Sequence, residues 1–120
     1  FSDAFFAPKN AEKFPGFFVS GAGLKKANGH YKLVGVCNDT TTLLYSNGVC
    51  VIFRVAPHEN QPKYSWSLDL YYHFHLGTTA LYHSFSTSDR PPTTGWEAVE
   101  SPYDPAPTCI MSLKSNLCLF

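Results

Sequence analysis

The sequence lacks an excess of charge of either sign, long apolar runs and helical periodicity. Nine lysines and arginines balance nine aspartates and glutamates, and the one notable basic doublet is Lys25-Lys26. Nucleic acid is therefore not expected as a partner, because phosphate backbones are bound by clusters of basic residues. No stretch approaches the roughly 18 apolar residues that a membrane-spanning helix needs. The sequence predicts no membrane span.

Catalytic and metal-binding motifs are also missing. The cysteines do not follow a C-x-x-C spacing, and no serine lies in a G-x-S-x-G elbow. Carboxylates such as Glu97, Glu100 and Asp104 lie in a proline-rich stretch, where burial is not expected to separate their pKa values as glycoside hydrolysis requires. We expect that the protein is not an enzyme and needs no cofactor.

Aromatic and β-branched residues are abundant instead. The chain is 44% hydrophobic and 16% aromatic, which is enough apolar surface for one folded domain over residues 1–120. Nine prolines and eight glycines recur too often for ordinary helices. The pattern predicts an all-β fold, a small antiparallel β-sandwich or barrel of about seven short strands with a long proline-rich loop. The expected strands are 17–19, 30–36, 42–45, 49–55, 66–76, 80–85 and 110–113.

Two hairpins can be given a register from the letters alone. Asn47-Gly48 matches a type I′ turn, which pairs Leu44 with Val51. Gly77-Thr78 matches a type II′ turn, which pairs Leu70 with Phe85. In that second register one face of both strands is apolar and is expected to be core.

The opposite face of the second hairpin is the candidate ligand-binding surface. Alternation along the strands places Tyr71, His73, His75 and Tyr82 on it, beside Asp69. Tyrosine and histidine side chains suit sugar rings or a small planar ligand, and His73 with His75 would form a possible metal pair. The alternative is that this face packs under a second sheet and that these groups are structural.

Four cysteines in a small domain indicate two disulfides in an oxidising compartment. Three pairings are open, and the local bridges Cys37–Cys50 and Cys109–Cys118 are favoured. Asn38 begins an N-glycosylation sequon, and the chain starts without methionine, as after signal-peptide removal. We therefore expect a secreted, extracellular glycoprotein. The alternative is an intracellular protein with four buried thiols.

Phenylalanine is concentrated at the N-terminus, where residues 1–18 hold six of the ten in the chain. One short strand cannot bury so many large apolar side chains. The segment is expected to cover one end of the barrel or sandwich, or to form a homo-oligomer interface or line a ligand cavity. The tail 109–120 is expected to add a final strand bracketed by cysteines.

Six short motifs resemble a small β module of multidomain proteins in protists and invertebrates. They are VSGAG (19–23), NGHY (28–31), WSL (66–68), LYHS (81–84), PPTTGW (91–96) and PAPT (105–108). The resemblance covers residues 19–108 and implies an all-β fold. It implies no activity, because its glycines, prolines and aromatics specify turns and core.

Together these features predict a secreted, lectin-like binding module for a glycan or small ligand. One alternative is a structural or self-associating extracellular protein, or a toxin-like effector, that associates through the phenylalanine-rich N-terminus. A second alternative is a carrier of an apolar chromophore or a metal.

Overall fold

The computed structural model describes residues 16–36, 43–57, 59–71 and 80–112. Their strands form one antiparallel sheet curled into a half-barrel, in the order β7-β6-β5-β4-β3-β2-β1-β8. The strands are β1 Gly16–Ser20, β2 Gly29–Val36, β3 Leu43–Ser46, β4 Cys50–Val55, β5 Ser65–Leu70, β6 Tyr82–Ser84, β7 Glu97–Ala98 and β8 Thr108–Ser112. The predicted all-β, antiparallel class is confirmed. In the described part of the chain, no helix has the length and apolarity to cross a membrane.

The main core lies on the inner, concave face of the sheet. Side chains alternate along each strand, so Tyr31 and Leu33 of β2 point inward while the residues between them point outward. Across the sheet they meet Ile52 of β4 and Trp66 and Leu68 of β5, and all five are at least 90% buried. Burial of these large side chains is the main favourable contribution to folding.

The middle of the outer face is buried as well. Leu44 of β3 and Val51 of β4 are fully buried, and Asp69 of β5 pairs with Val51 across the sheet. The Asp69 carboxylate is 1% exposed and accepts a hydrogen bond from the N–H of Leu70 at 2.8 Å. The sequence placed Asp69 on an exposed face, and that expectation is wrong.

The first hairpin lies where it was predicted, with a different register. Leu44 pairs with Phe53 and Ser46 with Val51, so the loop is two residues longer than a type I′ turn allows. The Asn47 side chain accounts for the difference, because its Oδ1 accepts the N–H groups of both Val49 and Cys50 at 2.9 and 2.8 Å.

The register of the second hairpin differs from its prediction by more than that of the first. Leu68 pairs with Tyr82 and Trp66 with Ser84, whereas the Gly77-Thr78 turn would pair Leu70 with Phe85. Strand β5 ends at Leu70, and residues 72–79 lie outside the described part. The change moves Tyr82 into the core and puts Phe85 on the outside.

The predicted long proline-rich loop lies between β6 and β8, and two tryptophans anchor it. Trp96 is 6% exposed and donates from Nε1 to the carbonyl of Pro92 at 2.8 Å. The Trp66 indole donates to the carbonyl of Ser88 at 2.9 Å. The short strand β7 within this loop was not predicted. The loop also reaches the far edge of the sheet, where the Cys109 N–H donates to the carbonyl of Thr93 at 2.9 Å.

Several of the motif segments contact one another. The N–H of Gly23 in VSGAG donates to the carbonyl of Pro105 in PAPT at 2.9 Å. Asn28 of NGHY exchanges two hydrogen bonds with the backbone of Ala22, at 2.9 and 3.1 Å. The Tyr82 hydroxyl donates to the carbonyl of Tyr103 at 2.6 Å and accepts the N–H of Leu24 at 3.1 Å. These hydrogen bonds join the segment 22–28 to the loop 103–105 and to β6.

Replacing Tyr82 with phenylalanine should lower the free energy of unfolding by about 1–3 kcal/mol, because a partly buried N–H and a carbonyl each lose their partner. Urea denaturation followed by circular dichroism measures the change. Tyr64→Phe is the control, since Tyr64 is 40% exposed and its ring, which stacks on Arg54, is retained. Equal stability of the two variants would contradict the assigned role of the Tyr82 hydroxyl.

The structure shows neither predicted disulfide at the two cysteines that it describes. Cys50 and Cys109 are free thiols on the inner face, 0% and 1% exposed, whereas Cys37 and Cys118 lie outside the described residues. Burial raises the pKa of Cys50 to about 11 and that of Cys109 to about 12. Cysteine packs well as a small apolar residue, so an even count in a small domain does not by itself require bridges.

Cys50 and Cys109 should resist alkylation in the folded protein, because the reactive thiolate is suppressed and the sulfurs are buried. Iodoacetamide at pH 8 followed by peptide mass mapping should label both residues in urea without reductant, and neither in native buffer. A requirement for reductant before either residue is labelled would mean that it is in a disulfide.

Candidate functional site

A shallow groove lies on the outer face of β2 and β3. Its volume is about 390 Å³, and an adjoining depression of about 230 Å³ shares three of its lining residues. We call the two together the outer groove. The outer groove is lined by His30, Lys32, Val34, Ser46, Asn47, Gly48 and Tyr71.

Strand alternation and one irregularity shape the outer groove. His30 and Lys32 point outward because Tyr31 and Leu33 are inside, and Lys32 lies directly across from Ser46 of β3. The pairing of β2 with β3 shifts by one residue between Leu33 and Gly35. Such a bulge turns the strand locally, which is how sheets commonly aim side chains at a site.

The β3–β4 loop forms a rigid rim. Asn47 donates from Nδ2 to the carbonyls of Lys26 and Asn28 at 3.0 and 3.1 Å, in addition to the two bonds that its Oδ1 accepts. Ser46 Oγ accepts the N–H of Gly48 at 2.9 Å, and Gly48 has a φ of +100°, a conformation that favours glycine. The Asn47 amide is used within the protein, so it positions the rim.

Tyr71 stands at the opposite side of the outer groove. Its N–H donates to the carbonyl of Val49 at 2.9 Å, which fixes the backbone against the rim, and its side chain is 36% exposed. Of the four predicted ligand-binding residues, Tyr71 is the one that the structure places at this groove.

The other predicted residues have different outcomes. Tyr82 is fully buried, so its predicted exposure is wrong, because the strand register turns it inward. His73 and His75, proposed for ligand and metal binding, lie outside the described residues, as does the sequon residue Asn38. Within the described residues, no three His, Cys, Asp or Glu side chains are grouped to hold a metal ion.

An exposed apolar patch borders the outer groove. Phe18 of β1 and Ile110 of β8 pair across the sheet and are 45% and 55% exposed. The His30 ring lies against Phe18, with centroids 4.8 Å apart, and joins the patch to the groove. Sequence reasoning missed this patch, although alternation within Phe17-Phe18 requires one of the two rings to face outward.

The outer groove brings together side chains of different chemistry. It combines an exposed phenol ring, an ammonium group at Lys32, an imidazole at His30 and a hydroxyl at Ser46. None of the described lining residues carries a carboxylate. Aromatic faces and hydrogen-bonding groups around a shallow concavity suit a flat polar ligand.

Comparison of the chain with protein families, with curated proteins and with solved structures finds no match.

Proposed function

We propose that this chain is a secreted, non-catalytic module that binds a glycan or a related small polar ligand in the outer groove. The observation that carries the proposal is that the exposed Tyr71 ring lies at one side of the outer groove and Lys32 at the other, while Ser46 and Gly48 of the hydrogen-bonded rim line both of its parts. A sugar ring presents an apolar face and a hydroxyl-bearing edge, and this pairing offers an aromatic surface for the first and polar groups for the second.

Secretion is part of the proposal and is supported by the sequence. The sequon at Asn38 is typical of extracellular glycoproteins. The resemblance to the protist and invertebrate β module is a further part of the proposal. The hydrogen bonds that Gly23, Asn28 and Tyr82 make with Pro105, Ala22 and Tyr103 support the resemblance, because they give the motif residues a structural role.

A glycan array probed with labelled protein tests the proposed function. The unmodified protein should bind a defined subset of glycans, and Tyr71→Ala should abolish that binding. Tyr64→Ala is the matched control, because Tyr64 is a similarly exposed tyrosine outside the outer groove, stacked on Arg54 at 3.8 Å. A blank array, or binding that is lost in Tyr64→Ala and kept in Tyr71→Ala, would refute the proposed site.

A second candidate function is self-association through the apolar patch. Phe18 and Ile110 present adjacent large apolar side chains on the outer face, and such patches mark protein contacts. Sedimentation at increasing protein concentration should show dimers that Ile110→Lys disrupts, while Phe85→Lys, at a 56% exposed position elsewhere, has no effect. A strict monomer at millimolar concentration would exclude this function.

A further inference from the structure

We propose that the ligand of the outer groove is an acidic saccharide, one that carries carboxylate or sulfate groups. This inference rests on the proposed function and specifies its ligand class.

The first observation is that charge is segregated among the described residues, although the net charge of the chain is zero. Residues 16–36 and 43–57 contain four basic residues, Lys25, Lys26, Lys32 and Arg54, and no acidic one. The described residues from 59 onward contain six acidic residues and two basic ones, Lys63 and Arg90. Strands β1 to β4 therefore form a basic half of the molecule, and the outer groove lies in it.

The second observation is the arrangement of the basic groups around the groove. Lys32 lines it directly, beside His30. The segment that carries Lys25 and Lys26 is tied to the rim, because the Asn47 amide donates to the carbonyl of Lys26 at 3.0 Å. Both lysine side chains are exposed at this end of the sheet.

The third observation is that the carboxylates of Asp69, Glu97 and Asp104 do not line the outer groove. Asp69 lies on the outer face of β5, and it is 1% exposed and accepts the N–H of Leu70. Glu97 is 3.4 Å from His83 on the β6–β7 side of the sheet. The backbone of Asp104 lies against Gly23, and its carboxylate does not line the outer groove. None of these three carboxylates lines the outer groove.

These positions match the chemistry of an acidic sugar. A carboxylate or sulfate can accept a charge-assisted hydrogen bond from Lys32, and another ring of the same saccharide can stack on Tyr71. The surrounding lysines add long-range attraction, which dissolved salt would screen. A neutral saccharide would gain only the stacking and the uncharged hydrogen bonds.

Calorimetric titration with three hexasaccharides tests the inference: an oligogalacturonate, a heparin-derived oligosaccharide and maltohexaose. We expect at least one acidic probe to bind about tenfold more tightly than the neutral probe, and Lys32→Glu to remove about that factor. Lys63→Glu, an exposed lysine in the acidic half, should change affinity less than about twofold. Binding of the oligogalacturonate would show that carboxylates suffice, whereas binding of the heparin fragment alone, which carries both groups, would show that sulfate is required.

The outcomes separate the two proposals. Binding of an acidic probe that weakens in Lys32→Glu and in high salt supports both of them. Equal binding of maltohexaose and the acidic probes, lost in Tyr71→Ala and kept in Lys32→Glu, overturns the acidic ligand and leaves the groove as a glycan site. Acidic binding that Lys63→Glu weakens as much as Lys32→Glu overturns the inference as well, because attraction would then be unspecific.

Discussion

Replacing Gly23 with alanine will lower the free energy of unfolding by at least about 3 kcal/mol, or prevent folding. A Cβ at this position would overlap the carbonyl oxygen of Asp104 and lie 2.7 Å from that of Tyr103. Both obstacles are backbone atoms, so a rotamer change cannot relieve them. The contact also cannot open freely, because the Gly23 N–H is bonded to Pro105.

Gly21→Ala is the matched control for Gly23→Ala. Gly21 has a φ of +81°, and a Cβ added there would meet nothing within 4 Å, so alanine costs only the backbone strain of about 1–2 kcal/mol. Denaturant unfolding of the two variants compares the loss of stability caused by steric overlap at Gly23 with the loss caused by backbone strain at Gly21. If Gly23→Ala were as stable as Gly21→Ala, the close packing of the 20–24 segment on the 103–105 segment would be refuted.

Replacing Asn47 with alanine will cost about 3 kcal/mol, because four hydrogen bonds are lost together. Its amide joins the carbonyls of Lys26 and Asn28 to the N–H groups of Val49 and Cys50, all within 3.1 Å. The rim of the outer groove should also lose order. Hydrogen exchange at residues 48–50 should become faster, and glycan binding should weaken with it.

The control for Asn47→Ala is Asn60→Ala, at an exposed position, which should change stability by less than about 0.5 kcal/mol. Unchanged stability and unchanged exchange in Asn47→Ala would show that the side chain does not hold the rim. Loss of stability with normal exchange at the rim would place its effect elsewhere in the protein.

Strand positions were predictable from the sequence because burial imposes alternation. Phe17 and Val19, or Tyr31 and Leu33, mark an inner face whatever their partners are. The register was not predictable to the same degree. In the β3–β4 loop the Asn47 side chain, rather than a backbone carbonyl, accepts the N–H groups of Val49 and Cys50. The rule for two-residue turns considers only backbone hydrogen bonds, so it predicted the wrong register. Leu68 pairs with Tyr82, whereas a two-residue turn at Gly77-Thr78 would give Leu68 a different partner. The turn motif therefore did not predict the register of this strand pair.

The register error explains why the candidate site was only partly predicted. Moving the partner of Leu68 by five residues exchanges the faces of the later strand, so Tyr82 turns into the core while Tyr71 stays at the surface. His30 and Lys32 were not predicted as site residues. They line the outer groove because Lys32 pairs with Ser46, and this pairing depends on the order of the strands in the sheet rather than on the local sequence.

The motif pattern specifies fold rather than chemistry, and the structure gives the reason. Gly23, Asn28 and Tyr82 make hydrogen bonds with the backbone of the segments 22–24 and 103–105. In N-G-x-Y the variable position is His30, which faces the outer groove. Lys32 and Tyr71 lie outside the motif segments altogether.

The most direct test of the binding site is an amide chemical-shift titration of the ¹⁵N-labelled protein with the best-binding glycan. Our account predicts that the largest shifts fall on His30, Lys32, Ser46, Gly48 and Tyr71, with little change on β6 and β7. Shifts centred on β6 and β7, or saturable binding that leaves these five amides unmoved, would contradict the assignment of the outer groove as the ligand site.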